Sequence, residues 1–238
     1  MKKKRILLIS LALVLAVLFL YEPALRALGR FMAPQGESQA EAVVVEGEQV
    51  VREGEVRAGV ALIKEGWAKQ LILVLHRHPE KEQLFAIQDK YQGWLEEELE
   101  RGGLKKNQYR IWIAPINGHP ITLTEARYVV PRLSQAGIRK AFLLCQGFHT
   151  RRSLLVYQNQ GDALGVRFIP CPYFPSYEKD SWWTDLDGIK DCGAELFKLA
   201  YYLGRGYIPI FSFLMVNQSG FSPPFPLNPA PPYPCFHD

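Results

Sequence analysis

Short apolar runs alternate with longer amphipathic stretches along most of the chain. The apolar runs predict strands with the sequences AVVV at 42–45, QLILVL at 70–75, RIWIAPI at 110–116, KAFLLC at 140–145 and VRFIPC at 166–171. The other stretches predict helices over 53–65, 80–101, 122–135, 150–160 and about 188–203. Because strands that alternate with helices pair in parallel and are covered on both faces, we predict an α/β fold with a Rossmann-like, doubly wound, mainly parallel sheet of about five strands.

The first thirty residues show a different pattern. Residues 6–21 contain only two polar interruptions and come directly after the basic residues 2–5. This arrangement is typical of a signal peptide or a signal anchor, and both export the rest of the chain. A sixteen-residue helix rises about 24 Å, short of the ~30 Å hydrocarbon core, but it can extend toward Leu28. We expect residues 1–30 to form a cytoplasmic stub and an uncleaved transmembrane helix. A signal peptide cleaved after the small-residue triplet 27–29 and a buried core helix are the alternatives.

The remaining chain divides into three parts. Residues 31–41 are small and polar and predict a linker, and the α/β domain is expected over 42–207. The end of the chain, 208–238, begins with a nine-residue apolar run that is too short to cross a bilayer. Seven of the last seventeen residues, from Ser222, are prolines, which favours extended polyproline or disorder. We therefore predict one extracytoplasmic domain, held at the outer face of the cytoplasmic membrane by a single span.

Charge is distributed unevenly along the chain. The formal net charge is +4, but residues 1–30 hold six Lys or Arg and one Glu, which leaves 22 basic and 23 acidic residues in the remainder. A general nucleic-acid surface needs clustered excess positive charge, and a nearly neutral body has none to spread over one face. Nucleic acid is therefore not expected as a partner, whereas the membrane is.

The four cysteines do not predict a metal site. Cys145, Cys171, Cys192 and Cys235 show no C-x-x-C spacing, so neither a zinc site nor a thioredoxin motif is indicated. In an oxidising compartment a disulfide between Cys171 and Cys192 is permitted by their spacing but not required by it. Cys145 lies inside an apolar strand and is expected to fill the core.

The loop after the fourth predicted strand carries the strongest candidate site. In open parallel sheets, ligands bind beyond the carboxyl ends of the strands. Here the chain reads Gln146-Gly147-Phe148-His149-Thr150-Arg151-Arg152, in which Gly147 permits a tight turn and Thr150 can cap the next helix. Free amides at that helix start favour an anion, and His149, Arg151 and Arg152 add donors. The alternative is that His149 only closes the loop and the arginines are solvated.

Three other loops contain polar clusters. Thr122 and Glu125 fit a capping box, whose structural role alone would explain both residues. Glu46-Gly47-Glu48, with Arg57 on the following helix, offers carboxylates for acid–base chemistry or cation binding, although short acidic loops are usually solvated. His76-Arg77-His78 can contact an anion, but nothing in its spacing requires it. No Walker loop, G-x-S-x-G elbow or G-x-G-x-x-G follows a predicted strand, so the common hydrolase, NTPase and dinucleotide signatures are absent and the identity of any cofactor stays open.

Several segments resemble a known family. These are AVVVEG, Arg57 with Ala61-Leu62 and Gly66, QLILV, TLTEA at 122–126, AFLLCQGFHTRRS, and ELFKLAYYLG at 195–204. Together they cover about residues 42–206, and the sequence is similar to the bacterial envelope proteins that include SanA, ElyC and YdcF. The most specific element is F-H-x-x-R, formed by Phe148, His149 and Arg152. Glu46-Gly47-Glu48 and His76-Arg77-His78-Pro79 replace the family's glycine turns, and Ile121 replaces its Asn.

The resemblance implies a Rossmann-like fold, single-span membrane anchoring and a role in cell-envelope biogenesis or barrier maintenance. By matching position it implies a cleft lined by His149, Arg152, Thr122, Glu125, Arg57 and Glu195. We therefore expect the domain to bind or process an anionic or phosphorylated envelope intermediate, such as a lipid-linked one. His149 and Glu125 are the predicted catalytic residues. The predicted ligand-binding residues are Arg152, Arg151, Gln146, Gly147, Thr122, Arg57, Glu46 and Glu195. The alternatives are a non-catalytic scaffold that binds envelope proteins through its tail, and a nucleotide- or methyl-donor-binding domain.

Overall fold

A computed structural model describes residues 5, 19–36, 38–48 and 50–211. Its centre is a five-stranded parallel sheet, whose strands are β1 (Ala42–Glu48), β2 (Gln70–Arg77), β3 (Tyr109–Pro115), β4 (Lys140–Gln146) and β5 (Arg167–Tyr173). The α-helices that come after the strands are α1 (Glu53–Lys64), α2 (Phe85–Arg101), α3 (Ile121–Gln135), α4 (His149–Asp162) and α5 (Leu186–Gly204). Short 3₁₀ turns at Glu82–Leu84 and Trp182–Thr184 precede α2 and α5. The predicted α/β class and the parallel five-stranded sheet are confirmed.

Helices cover both faces of the sheet. In β1, Val44 belongs to the core beneath α3, α4 and α5, whereas Val43 and Val45 belong to the core beneath α1 and α2. A strand that is buried on both faces reads as a continuous apolar run rather than an alternating one, which is why the sequence signals these strands so clearly. The buried Leu99 of α2 and Tyr157 of α4 show how each helix turns one apolar side to the sheet.

The strand order is β3-β2-β1-β4-β5, which matches the first five positions of the doubly wound order 3-2-1-4-5-6. The chain leaves β1 toward one side of the sheet and leaves β4 toward the other. A crevice therefore opens between the carboxyl ends of these two neighbouring strands, because their connections diverge. This topology positions the candidate site.

The ends of β1 and β2 extend beyond the apolar runs that predicted them. The sequence placed the first strand at 42–45, but β1 continues to Glu48 through a shift in its pairing with β2. Between Val45, which pairs with Leu73, and Glu48, which pairs with Leu75, β1 contains one residue more than its partner. Such a bulge re-aims side chains at a strand end. The polar residue Glu46 lies in this irregular part.

Residues N-terminal to the predicted domain pack on it. Residues 19–32 are helical, and Met32 and Ala33, at the start of the predicted linker 31–41, are buried in the core with α4 and α5. Trp182 Nε1 donates a hydrogen bond to the carbonyl of Leu25 at 3.0 Å. The helical segment is therefore held against the domain at its C-terminal end.

Most of the apolar run that predicted the anchor lies outside the described residues, as do residues 212–238, which include the proline-rich end of the chain. Among the residues that are described, no helix combines the length and the apolar character needed to cross a membrane. Cys145, Cys171 and Cys192 are buried free thiols, so the disulfide considered between the last two is not formed.

Candidate functional site

A cleft of about 550 Å³ lies at the carboxyl ends of the strands. Its lining comes from the end of β1, the end of β2, the start of α3 and the start of α4, and comprises Glu46, Gly47, Val50, His76, His78, Ile121, Thr122, Glu125, His149 and Arg152. Four loops that are separate in the sequence meet here because parallel strands all end at the same edge of a sheet. Two apolar residues, Val50 and Ile121, accompany the polar groups.

His149, the first residue of α4, lies between two carboxylates. Its Nε2 is 2.8 Å from Glu46 Oε1, and its Nδ1 is 3.3 Å from Glu195 Oε2 on α5. Ser153, one turn further along α4, places its hydroxyl 2.9 Å from Nε2. The side chain of His149 is 25% exposed, whereas those of Glu46 and Glu195 are 7% and 4% exposed. The imidazole is therefore more accessible from the cleft than either carboxylate.

Charge pairing fixes the protonation of His149 and Glu46. Burial, which is the largest effect, and the charge of Arg152 lower the pKa of His149, but the charge of Glu46 together with the hydrogen bonds to Glu195 and Glu46 raises it to about 9. Burial alone would raise the pKa of Glu46, but the charge and hydrogen bond of His149 lower it to about 2. At neutral pH the pair is therefore an imidazolium beside a carboxylate.

Arg152 lies on α4 and hydrogen-bonds side chains of α3 and α5. Its Nε donates to Glu195 Oε2 at 2.9 Å, its Nη1 donates to Thr122 Oγ1 at 2.8 Å, and its guanidinium lies 4.8 Å from the centre of the Tyr202 ring. Burial would raise the pKa of Glu195, but His149 and then Arg152 hold it well below its usual range. Glu195 is thus an ionised carboxylate that fixes the side chains of His149 and Arg152, and it does not itself line the cleft.

The Nδ1 atom of His149 has a partner in either protonation state. When it carries a proton, it donates to Glu195. When it has lost that proton, it accepts from Arg152 Nη2, which lies 2.5 Å away. Two cations at that distance repel each other, so Arg152 favours loss of the proton while the two carboxylates favour its retention. Since the pKa is raised to about 9, the carboxylates prevail and His149 keeps its proton at neutral pH.

Glu125 does not form the capping box that the sequence suggested. The residue that caps α3 is Pro120, with no capping hydrogen bond from a side chain. Glu125 is instead 1% exposed and accepts hydrogen bonds from the Gly47 amide at 2.7 Å, the Tyr157 hydroxyl at 2.6 Å and His76 Nε2 at 2.6 Å. The spacing of Thr122 and Glu125 matched a capping motif, but the Glu125 carboxylate bonds three buried donors from other parts of the fold instead. Its observed role is to hold the ends of β1 and β2.

The start of α4 is already occupied by a carboxylate of the protein. The sequence predicted free amides there for an external anion, but the Phe148 amide donates to Asp191 Oδ2 of α5 at 3.1 Å. Gly147 adopts φ +50°, and a Cβ on it would lie 2.3 Å from the same oxygen. The hydroxyl of Thr150 bonds to the Gly147 carbonyl rather than capping the helix. Any ligand anion must therefore use side chains of the cleft.

Five predicted ligand-binding residues do not line the cleft, and Glu195, described above, is one of them. Arg151 points away from it, donates from Nε to the Phe31 carbonyl at 2.7 Å and lies over the Phe31 ring at 4.1 Å. Arg57 is exposed on α1 and forms an ion pair with Glu53. Gln146 and Gly147 end β4 and begin the turn behind the cleft. Successive residues on a helix point about 100° apart, so Arg151 and Arg152 cannot face the same ligand.

Ser153 and His149 resemble part of a nucleophilic triad, with Glu195 as the third group. Ser153 is fully buried, however, and it shares Nε2 of His149 with the Glu46 carboxylate. A nucleophile must reach the substrate, so this hydroxyl serves to position the imidazole. The sequence offered a signal for this contact, because residues 149 and 153 are four apart on a helix.

Two buried groups beneath the cleft were not predicted as part of it. The Cys145 thiol donates to Glu46 Oε2 at 3.0 Å, and burial, followed by the charge of Glu46, raises its pKa well above the usual range. Burial and the nearby Glu125 similarly keep the pKa of Tyr157 high. Both groups therefore remain protonated and donate hydrogen bonds to the carboxylates.

The cleft thus contains a protonated imidazole, an arginine and a second imidazole, all fixed by buried carboxylates. Within the described residues, no group of three or more His, Cys, Asp or Glu side chains has a geometry that could hold a metal ion. A scan against protein-family models and a search of curated proteins found no match to the chain. Its function has to be inferred from the geometry of the cleft.

Proposed function

We propose that the chain binds a small anionic molecule, such as a phosphorylated one, in the cleft between β1 and β4. The observation that carries this proposal is the convergence of two cationic side chains, His149 and Arg152, on a cleft at the topological switch point of the sheet. Ligands of open α/β sheets bind at this position, and arginine is suited to phosphate or carboxylate groups.

The carboxylates of the cleft do not oppose an anion as strongly as their number suggests. Glu46 receives hydrogen bonds from His149 and Cys145, and both oxygens of Glu125 accept from buried donors. Their negative charges are therefore directed at protein partners. The guanidinium of Arg152 hydrogen-bonds Thr122, Glu195 and Tyr202, and its positive charge lines the cleft. An anion in the cleft would lie beside the positive charges of Arg152 and His149.

We further propose that the domain works at the outer face of a bacterial cytoplasmic membrane, in envelope biogenesis or barrier maintenance. The resemblance to the family of SanA, ElyC and YdcF supports this proposal, as does the apolar run that comes after four basic residues at the start of the chain. Confinement at the membrane surface would make envelope intermediates the natural source of the anionic ligand.

Binding is tested on the full chain in detergent micelles. Inorganic phosphate and propyl phosphate are titrated by calorimetry into the wild type, Arg152→Met and Arg57→Met. A charge-assisted hydrogen bond contributes about 1.5–3 kcal/mol, so Arg152→Met should weaken binding by roughly tenfold or more. Arg57→Met makes the same change at an exposed ion pair outside the cleft and should leave affinity within about twofold.

Because Arg152 is buried, circular dichroism must first show that Arg152→Met is folded. If it is not, His149→Gln takes its place, since it removes the second cation and keeps a polar side chain. The proposal is wrong if the wild type binds neither anion at millimolar concentration, or if the folded cleft variant binds both as tightly as the wild type.

The orientation is tested separately in intact bacterial cells. Lys190→Cys, at an exposed position on α5, is introduced into a chain that carries Cys235→Ser, and the other three cysteines are buried. A membrane-impermeant maleimide should label the variant in intact cells and not the Cys235→Ser parent. Labelling that occurs only after lysis would contradict the extracytoplasmic placement.

A further inference from the structure

A second imidazole, that of His76, also lines the cleft, but it contacts one carboxylate instead of two. His76 lies at the end of β2, is 6% exposed and lines the cleft. Its Nε2 atom is 2.6 Å from Glu125 Oε2. The strand end that carries it is fixed as well, because Gln88 of α2 donates to the His76 carbonyl at 2.7 Å. His76 is therefore a positioned group rather than a loose loop residue.

The partners of Glu125 determine which ring nitrogen of His76 carries the proton. Glu125 accepts from the Gly47 amide and the Tyr157 hydroxyl at Oε1, so its carboxyl group acts as an acceptor in this network. The short contact at Oε2 is therefore donated by Nε2 of His76. In a neutral imidazole the other nitrogen, Nδ1, is then an acceptor with a free lone pair.

The ring edge that carries Nε2 is closed off by the backbone of β1. A Cβ placed on Gly47 would lie 2.6 Å from His76 Nε2 and 2.7 Å from its Cδ2. The edge that carries Nδ1 is left for the cleft, and Nδ1 forms no hydrogen bond within the described part of the chain. Buried polar atoms are nearly always hydrogen-bonded, so a buried acceptor that lines a cleft indicates a ligand donor.

We propose that His76 binds the ligand through Nδ1 as a hydrogen-bond acceptor, so that the ligand carries a hydroxyl group beside its anionic group. This inference rests on the proposed function, in which His149 and Arg152 bind the anion. The oxygens of a fully ionised phosphate only accept, so they cannot satisfy Nδ1. The substrate class is therefore a hydroxylated phosphate monoester, or a hydroxy acid with the same pairing of groups.

In this proposal the two imidazoles bind different groups of the ligand: His149 binds the anionic group and His76 binds the hydroxyl group. Among the described residues, His149 has a partner at both ring nitrogens, Glu46 and Glu195, whereas His76 contacts only Glu125, through Nε2, and leaves Nδ1 for the ligand. Sites that hydrogen-bond a substrate hydroxyl discriminate strongly against analogues that lack it, because the buried polar atom then stays unpaired. Glu125 is thus a positioning residue, because its bond to Nε2 sets the tautomer of His76.

The test compares two ligands that differ in their hydroxyl groups. Glycerol 3-phosphate and propyl phosphate are titrated into the full-length wild type, His76→Leu and the exposed control Arg57→Met. The wild type and the control should favour glycerol 3-phosphate by roughly tenfold or more. His76→Leu should lose this preference while its affinity for propyl phosphate changes by less than about threefold.

A second measurement uses the wild type alone, in case His76→Leu does not fold. The Nδ1 resonance of His76, observed by ¹⁵N NMR, should move on addition of glycerol 3-phosphate and stay in place with propyl phosphate. His76→Asn keeps an acceptor close to the position of Nδ1 and should restore part of the preference.

The outcomes separate this inference from the proposed function. If both phosphates bind equally well to the wild type, or if folded His76→Leu keeps the preference, the role of His76 is refuted while anion binding stands. If neither phosphate binds the wild type, the proposed function fails and the inference fails with it.

Discussion

The two sides of the cleft use the same chemical unit, a histidine beside a buried glutamate, and reach different results. On one side His149 contacts both Glu46 and Glu195, and its charged form is stabilised. On the other side His76 contacts Glu125 alone, and Glu125 is shared with other donors. The number of carboxylates around an imidazole therefore decides how many of its ring nitrogens are already bonded within the described part of the protein: both in His149, and only Nε2 in His76.

The largest change in stability is expected when the shared carboxylate is removed. Glu125→Ala leaves the Gly47 amide, the Tyr157 hydroxyl and His76 without their acceptor in a buried site. Loss of one partner from such a network costs about 3–5 kcal/mol of the free energy of unfolding. Urea denaturation measures this cost. Glu53→Ala, at an exposed ion pair, should change stability by less than about 0.5 kcal/mol, and a cost for Glu125→Ala as small as that would contradict the assigned network.

A smaller effect is expected from one added methyl group. Gly47→Ala places a Cβ 2.6 Å from His76 Nε2 and 3.1 Å from Val74 Cγ1, so the imidazole must move away from Glu125. Overpacking of this kind costs about 1–3 kcal/mol. Gly93→Ala lies inside α2, where no atom is within 4 Å of the new Cβ. This variant should instead raise the free energy of unfolding by about 0.5–1 kcal/mol. If both variants stabilised the protein in urea, the close packing of β1 against His76 would be refuted.

The pair of His149 and Glu46 predicts a pH dependence of stability. The pKa of His149 is raised to about 9, so its contribution is complete below its unfolded value of about 6.5 and is lost as the pH rises through 9. The pKa of Glu46 is lowered to about 2, so its contribution is present above about 4.5 and is lost as the pH falls through 2. The full contribution of the pair therefore spans about pH 4.5 to 6.5.

Glu46→Gln removes the charge while keeping the shape of the side chain. In this variant the pKa of His149 should fall toward about 6.5, and the decline in stability between pH 7 and 9 should become shallower than in the wild type. Urea unfolding at several pH values measures both slopes. Equal slopes in the two proteins would mean that Glu46 does not hold the charge on His149.

The smallest effect on ligand binding is expected at Arg151, although it neighbours Arg152 in the sequence. Arg151→Met removes a hydrogen bond and a cation–π contact to Phe31, which should cost about 1–2 kcal/mol of stability. Affinity for propyl phosphate should stay within about twofold of the wild type. A tenfold loss of affinity in a folded Arg151→Met variant would contradict the claim that Arg151 faces away from the ligand.

Sequence patterns predicted the sheet well because buried strands are uniform in polarity, and the strand-end rule pointed to the edge where the cleft lies. His149 and Arg152 could be paired from the sequence because a three-residue helical spacing is local, and both line the cleft. Arg151 was misassigned because adjacency in sequence was taken for adjacency in space. The contact between His76 and Glu125 joins residues 49 positions apart, and no local pattern encodes it. Glu125 was misread as a cap for the same reason, since its partners come from β1, β2 and α4.

Anion binding by a charged His149 can be measured in one experiment, an NMR titration of its imidazole in the full chain, with and without saturating inorganic phosphate. We expect a pKa of about 9 without phosphate, and a further rise with phosphate because a bound anion stabilises the imidazolium. A pKa at or below about 6.5 that phosphate does not change would contradict both the charged pair and the anion site.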